Sequence, residues 1–192
     1  DGALFGKPGE KVEVTFDNGS VYGAYTQSGN ASGSTVNIKD GTVNGNLYAA
    51  YSEKGSASDG TVNWEGGEIK GALYGGYANG AENKAGSTLN LYGKNKEVQY
   101  VGGFQNYNFN LPTDFAANDT MLTVTGTDSL DFAGVTVGLE SYESGKAVLL
   151  YTPNASITGF TAQQKVSEFK DEDLPTVGDY ALGKSVFEMK VE

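Results

Sequence analysis

Three tyrosines, Tyr22, Tyr48 and Tyr74, recur at intervals of 26 residues inside near-copies of one string, VYGAYTQSG (21–29), LYAAYSEKG (47–55) and LYGGYANG (73–80). Aromatic faces at a regular spacing can stack on sugar rings or dock protein side chains, and each phenol adds a polar handle. The chemistry on offer is recognition. Bond-making needs other residues, and the chain is poor in them. It has no His and no Cys, and all 13 of its basic residues are Lys. Missing Cys removes thiolate metal ligands, Cys nucleophiles and disulfides together, and missing His removes the commonest general base. The 24 acidic residues fall mostly in turns and in the run Asp171, Glu172 and Asp173, where a solvated turn is the simplest account. The DG pairs at Asp40 and Asp59 are turn punctuation, since no phosphate-cradling or calcium-repeat signature surrounds them. No catalytic residue, metal ligand or cofactor site is therefore expected, and the binding candidates are Tyr22, Tyr48 and Tyr74.

A net charge of −11 sets this chain against nucleic acid and against anionic membrane surfaces, because phosphate binding relies on clusters of Lys and Arg. No window approaches 18 apolar residues, and the opening DGALFGKPGE lacks the basic-then-apolar order of an export leader. Any export signal or membrane anchor is expected outside these 192 residues, if there is one.

The elements that must position the tyrosines follow from the repeat. Val21, Leu47 and Leu73 mark its 26-residue period, and each unit continues through a polar loop into TVNI (35–38), TVNW (61–64) or TLNL (88–91). The third loop, 78–87, is one residue longer than its counterparts, and YVGGF (100–104) reads as a partial fourth unit, with Tyr100 opposite Leu73 and Phe104 opposite Tyr77. After the TVNI stretch the first two units turn through KDGTV and EGGEI, while the third, YGKNKEV (92–98), departs from that pattern. The 28 glycines, about twice average usage, supply many turns. Short alternating stretches separated by Gly, Asn and Asp are strand chemistry, and a unit that cannot bury its apolar face alone must stack on its neighbours.

Three strands per 26-residue coil is the size of one rung of a right-handed parallel β-helix, the fold class expected here; an antiparallel meander is the alternative. In strict alternation Tyr25, Tyr51, Tyr77 and Phe104 point inward beside Val21, Leu47 and Leu73, with Gly23, Ala49 and Gly75 leaving room for the rings. Ile38, Trp64 and Leu91 form a second inward column next to Val36, Val62 and Leu89. Tyr22, Tyr48 and Tyr74 then point outward on one face, and Asn37, Asn63 and Asn90 form a hydrogen-bonding column on another. The chain divides into an irregular N-terminal rung (1–20), the repeat β-helix (21–110), and a less regular β-coil with a C-terminal cap (111–192).

The run 89–140, and within it FQNYNFNLP…NDTMLTVTG, together with the preceding GxYGGY…GSTVNI repeats, resembles the C-terminal β-helical part of passenger domains of large bacterial autotransporters. The similarity covers roughly residues 15–155. The resemblance implies display at the cell surface and, in the full-length protein, attachment through a C-terminal outer-membrane β-barrel. Passengers of that family are mostly adhesins and some are enzymes. It implies a host-cell or bacterial surface protein or glycan as partner, and leaves self-association open. The expected function is non-catalytic: adhesion, or service as a stalk that presents an adhesive tip. The alternative is a glycan-binding or glycan-processing β-helix, since such helices include lyases, which use a Lys or Arg base with Ca²⁺, and hydrolases, which use paired carboxylates. A carboxylate pair facing one groove would favour that enzyme.

Overall fold

The computed structural model describes residues 19–116, 119–140, 145–160, 176–180 and 184–191. Among them there is no helix, and parallel strands stack into a β-solenoid of about five turns. One face is built from Val21–Thr26, Leu47–Ser52, Ala72–Ala78 and Tyr100–Gly102, each parallel to the next. A second face stacks Thr35–Ile38, Thr61–Trp64, Thr88–Tyr92, Asn106–Asn110 and Thr136–Glu140. A third carries Lys96–Val98, Thr120–Val124 and Gly145–Thr152 in parallel order, and Lys184–Val191 and then Thr176–Tyr180 complete that sheet antiparallel. Parallel in-register pairing sets aside the antiparallel meander for the repeats.

Corners are fixed by backbone that only certain residues adopt. Gly41 and Gly67 occupy the same rung position with φ of 86 and 71°, and Gly93, one position earlier in the next rung, has φ of 82°; all three lie in the left-handed region where a Cβ is penalised. The third unit, with its divergent YGKNKEV, still turns through left-handed backbone, at Gly93 and Asn95. The stretch from Leu91 to Val101 is one residue longer than that from Trp64 to Leu73, so Val101 rather than Tyr100 pairs with Leu73. The one-residue shift corrects the expected alignment and turns Tyr100 to the other side of its strand.

The core follows the registers. Leu47 and Leu73 are fully buried and Val101 is 1% exposed. On the second face Val62, Leu89, Tyr107 and Val137 form one buried column, and Ile38, Trp64, Leu91 and Phe109 the next. The inward columns expected there are present. The irregular rung expected over 1–20 lies outside the described residues except for Gly19 and Ser20, and so does the run 171–173.

Candidate functional site

Strict alternation fails within the first face, and the failure builds the site. In Leu47–Ser52 the side chains run buried, half-buried, buried, buried, half-buried, buried. Leu47 and Ala49 face the main core, but Ala50 is also buried, so Tyr51 lies on the same outer side as Tyr48. The pairing skips one position: Tyr22 opposes Tyr48 and Ala24 opposes Ala50, with Gly23 and Ala49 left between. The same skip recurs between Tyr48–Tyr74 and Ala50–Gly76. An extra residue at a fixed place in successive rungs is a stacked bulge, and it flips every side chain beyond it. Only a small residue fits at the bend, since a Cβ on Gly75 would stand 2.3 Å from the Gly103 carbonyl oxygen and 2.6 Å from the Phe104 ring.

Beyond the bend each rung extends a limb with its own small core of Ala31, Ala50, Ala57 and Ala78. Tyr25, Tyr51 and Tyr77 ride on the outside of it. They were expected inside, and the structure corrects this: Tyr25 is 40% exposed and the other two are half-buried. Phe104 is indeed interior, but it does not continue their column. It packs edge-on against Tyr107 at 5.6 Å, because the fourth rung omits the limb and passes from Tyr100–Gly102 almost directly to Asn106–Asn110. The long third loop fills the resulting gap. Asn79 and Gly80, both with positive φ, turn the chain back so that Ala81–Asn83 pairs antiparallel with Ala78, Tyr77 and Gly76.

The outcome is a belt of seven rings. Tyr22, Tyr48 and Tyr74 stack at 5.1 and 5.0 Å with planes within 11°, and Tyr100 continues the column at 5.6 Å and 41°. Tyr25, Tyr51 and Tyr77 stack alongside at 5.6 and 5.7 Å. The columns meet edge-to-face, with Tyr48–Tyr51 at 5.1 Å and 74°. The expected site residues Tyr22, Tyr48 and Tyr74 are thus together and outward, with Tyr22 39% exposed. The second column and Tyr100 were missed, the first through the bulge and the second through the shifted register.

This geometry also corrects the chemistry. Stacking along the solenoid axis covers the ring faces between rungs, so the belt presents edges and hydroxyls to the outside. Tyr25 donates to Glu53 and Tyr100 to Glu82, both at 2.5 Å, while Tyr77 donates to the Gly80 carbonyl at 3.0 Å. Tyr48 accepts from Asn46 Nδ2 at 3.1 Å. Burial pushes the Tyr74 phenol up to about 12, with Tyr48 and Glu82 adding to it, and burial also raises Tyr22, Tyr77 and Tyr100. For Tyr25 the hydrogen bond to Glu53 is the main cause. Beside Tyr74 and Tyr100 lies a depression of about 420 Å³ that Asp128 also lines.

On the second face the asparagine column is a continuous hydrogen-bonded ladder. Asn63 donates to Asn37 at 2.7 Å and Asn90 to Asn63 at 2.7 Å, and Asn108 adds a fourth member at 2.8 Å. The third face has a groove of about 560 Å³ lined by Trp64, Glu68, Lys70, Lys96 and Glu97 among others. Glu68 and Glu97 are the carboxylates at that groove, and Glu68 is held by Lys70 at 2.6 Å. Lys96 Nζ sits 5.1 Å above the buried Trp64 ring, and burial lowers its pKa. No group of three or more metal-ligating side chains occurs among the described residues. No family model matches the chain, and no curated protein or solved structure matches it either.

Proposed function

We propose that this solenoid is a non-catalytic, surface-displayed segment of the autotransporter-passenger kind, acting in adhesion or as a stalk, with the tyrosine belt as its contact surface. The observation that carries the reading is the seven-ring outward belt spanning four rungs. Half-exposed aromatic area with hydroxyl tips is the composition that interaction surfaces favour. Because the hydroxyls and ring edges face outward, the partner is a surface protein or glycan that meets them with hydrogen bonds, in place of a sugar laid flat on a ring. The sequence resemblance of residues 15–155 supports display outside the outer membrane. A net charge of −11 opposes nucleic acid as partner.

The test is an array of glycans and of host-cell and bacterial surface proteins. It compares the native protein with the triple variant Tyr22→Phe, Tyr48→Phe, Tyr74→Phe, which keeps the stacks and removes the outward hydroxyls. Binding that falls at least tenfold in the variant supports the belt. Equal binding removes it as the contact surface, and a native protein that binds nothing favours the stalk. A glycan-processing reading rests on the groove between Glu68 and Glu97; release of reducing or unsaturated sugar from a polysaccharide panel, lost in Glu97→Gln, would establish it instead.

A further inference from the structure

The belt carries a second chemistry that recognition does not use. Each of its seven phenols has another ring centroid within 5.0 to 5.7 Å, and the contacts form one connected set from Tyr100 to Tyr25. Phenols are among the most readily oxidised side chains. The usual competitors are scarce: the chain has no Cys and a single Trp, Trp64, which is 1% exposed. A phenol that loses an electron must also lose its proton, because the phenol radical cation is a strong acid. Proton acceptors stand at opposite ends of the belt. Glu53 receives the Tyr25 hydroxyl and Glu82 the Tyr100 hydroxyl, each at 2.5 Å.

We propose that the belt is a site of oxidative cross-linking, at which a one-electron oxidant of the peroxide-fed haem peroxidase class joins tyrosines of adjacent rungs as dityrosine. Two phenols each give up one electron and the hydroxyl proton, leaving two phenoxyl radicals. Their ortho carbons form one C–C bond, and the two ortho C–H protons move to the oxygens, which restores both phenols. Each cross-link thus releases two electrons and two protons, which reduce one hydrogen peroxide to two waters. Coupling is intramolecular because an oxidised ring already touches a partner on the next rung. A radical can also pass along the belt until it reaches a rung pair able to rotate into bonding contact. In a chain without Cys, the product takes the place of a disulfide: a Tyr22–Tyr48 or Tyr48–Tyr74 link closes a 26-residue loop and ties successive rungs together.

The experiment treats the native protein at low and high concentration with peroxidase and limiting hydrogen peroxide. Trypsin, cutting after Lys, then separates the rungs into peptides 12–39, 40–54 and 71–84, with Tyr92 in 85–94. Mass spectrometry should find 12–39 linked to 40–54 and 40–54 linked to 71–84, in a chain that remains monomeric on a denaturing gel. The yield per chain should not change with protein concentration, and the oxidised monomer should melt at a higher temperature. The double variant Tyr48→Phe, Tyr51→Phe should lose both links, and Tyr92→Phe, which removes a 38% exposed phenol outside the belt, should lose neither. Dityrosine that joins separate chains with a yield rising with concentration would overturn the proposal. So would a native Tyr92 peptide cross-linked as often as those of the belt, or oxidation that leaves belt peptides unlinked.

Discussion

Tyr48 sits at the middle of the belt, and its truncation measures what the stacking contributes. Four rings surround it: Tyr22 and Tyr74 stacked at 5.1 and 5.0 Å, and Tyr51 and Tyr77 edge-on at 5.1 and 5.5 Å. Aromatic pairs contribute about 0.5–1.5 kcal/mol each, and half-exposed ones belong at the lower end, so four of them give about 2 kcal/mol. The hydrogen bond from Asn46 Nδ2 adds about 0.5–1 kcal/mol. Tyr48→Ala should therefore destabilise the protein by about 2–3 kcal/mol. Tyr48→Phe, which keeps the rings and loses the hydroxyl, should cost about 0.5–1 kcal/mol. Tyr92→Ala provides the reference: a ring outside the belt, 38% exposed where Tyr48 is half-buried, whose loss should stay within about 0.5 kcal/mol. Urea melts followed by circular dichroism give all three, provided the slope m is unchanged. A Tyr48→Ala midpoint equal to that of Tyr92→Ala would show that the rings are neighbours without mutual stabilisation, and the energetic account of the belt would fail.

Trp64→Ala should be the most damaging of these truncations, at about 3–5 kcal/mol by urea melt, because it opens the core column and also removes the indole donor to the Gly67 carbonyl and the ring beneath Lys96. Asn63→Ala breaks two ladder hydrogen bonds at once and should cost about 1–2 kcal/mol in the same assay, with Asn37→Ala, at the ladder's exposed end, costing less. Asp119 is held down to about 2, first by Lys94 at 2.8 Å and then by the Ala116 amide and Asn95. A depressed carboxylate contributes stability that is complete above its unfolded value of about 4 and is lost as pH falls through about 2. Melting midpoints of the native protein should accordingly fall between those two pH values more steeply than those of Asp119→Asn. At the alkaline end Tyr74 works in the opposite sense, because its folded value of about 12 exceeds the unfolded value of about 10. That contribution is present below pH 10 and disappears as pH rises towards 12, so Tyr74→Phe should flatten the alkaline fall in melting temperature.

How much of this was legible in the sequence depends on where local rules govern. The period of 26, the parallel stacking and the second-face columns could be read directly, because TVNI, TVNW and TLNL alternate without interruption and pair in register. The fourth Asn was legible too, since Tyr107, Asn108 and Phe109 repeat the order of Leu89, Asn90 and Leu91. The orientation of Tyr51 was not. Period-2 reasoning carries a parity along a strand, and a bulge at Ala49 reverses it without leaving any mark other than a small residue. Gly23, Ala49 and Gly75 were read as space for inward rings when they are the space for a bend. Tyr100 was hidden by the one extra residue between Leu91 and Val101, which moves the pairing by one and so exchanges the two sides of the strand. The chemistry followed the same line. Three outward tyrosines could be named, but that their faces are occupied by one another is a property of in-register stacking between rungs.

The central claim is that two columns of tyrosines lie side by side on the outside of the solenoid. It is tested most directly by nuclear Overhauser contacts between ring protons in protein carrying protonated tyrosine rings on a deuterated background. Contacts from Tyr48 to Tyr22, Tyr74, Tyr51 and Tyr77 are expected, along with strong broadening of the Tyr22 and Tyr25 signals by a soluble paramagnetic agent. Contacts from the Tyr51 ring to selectively protonated Leu47, Leu73 or Trp64, with Tyr51 protected and silent towards Tyr48, would place that column in the core and contradict the account.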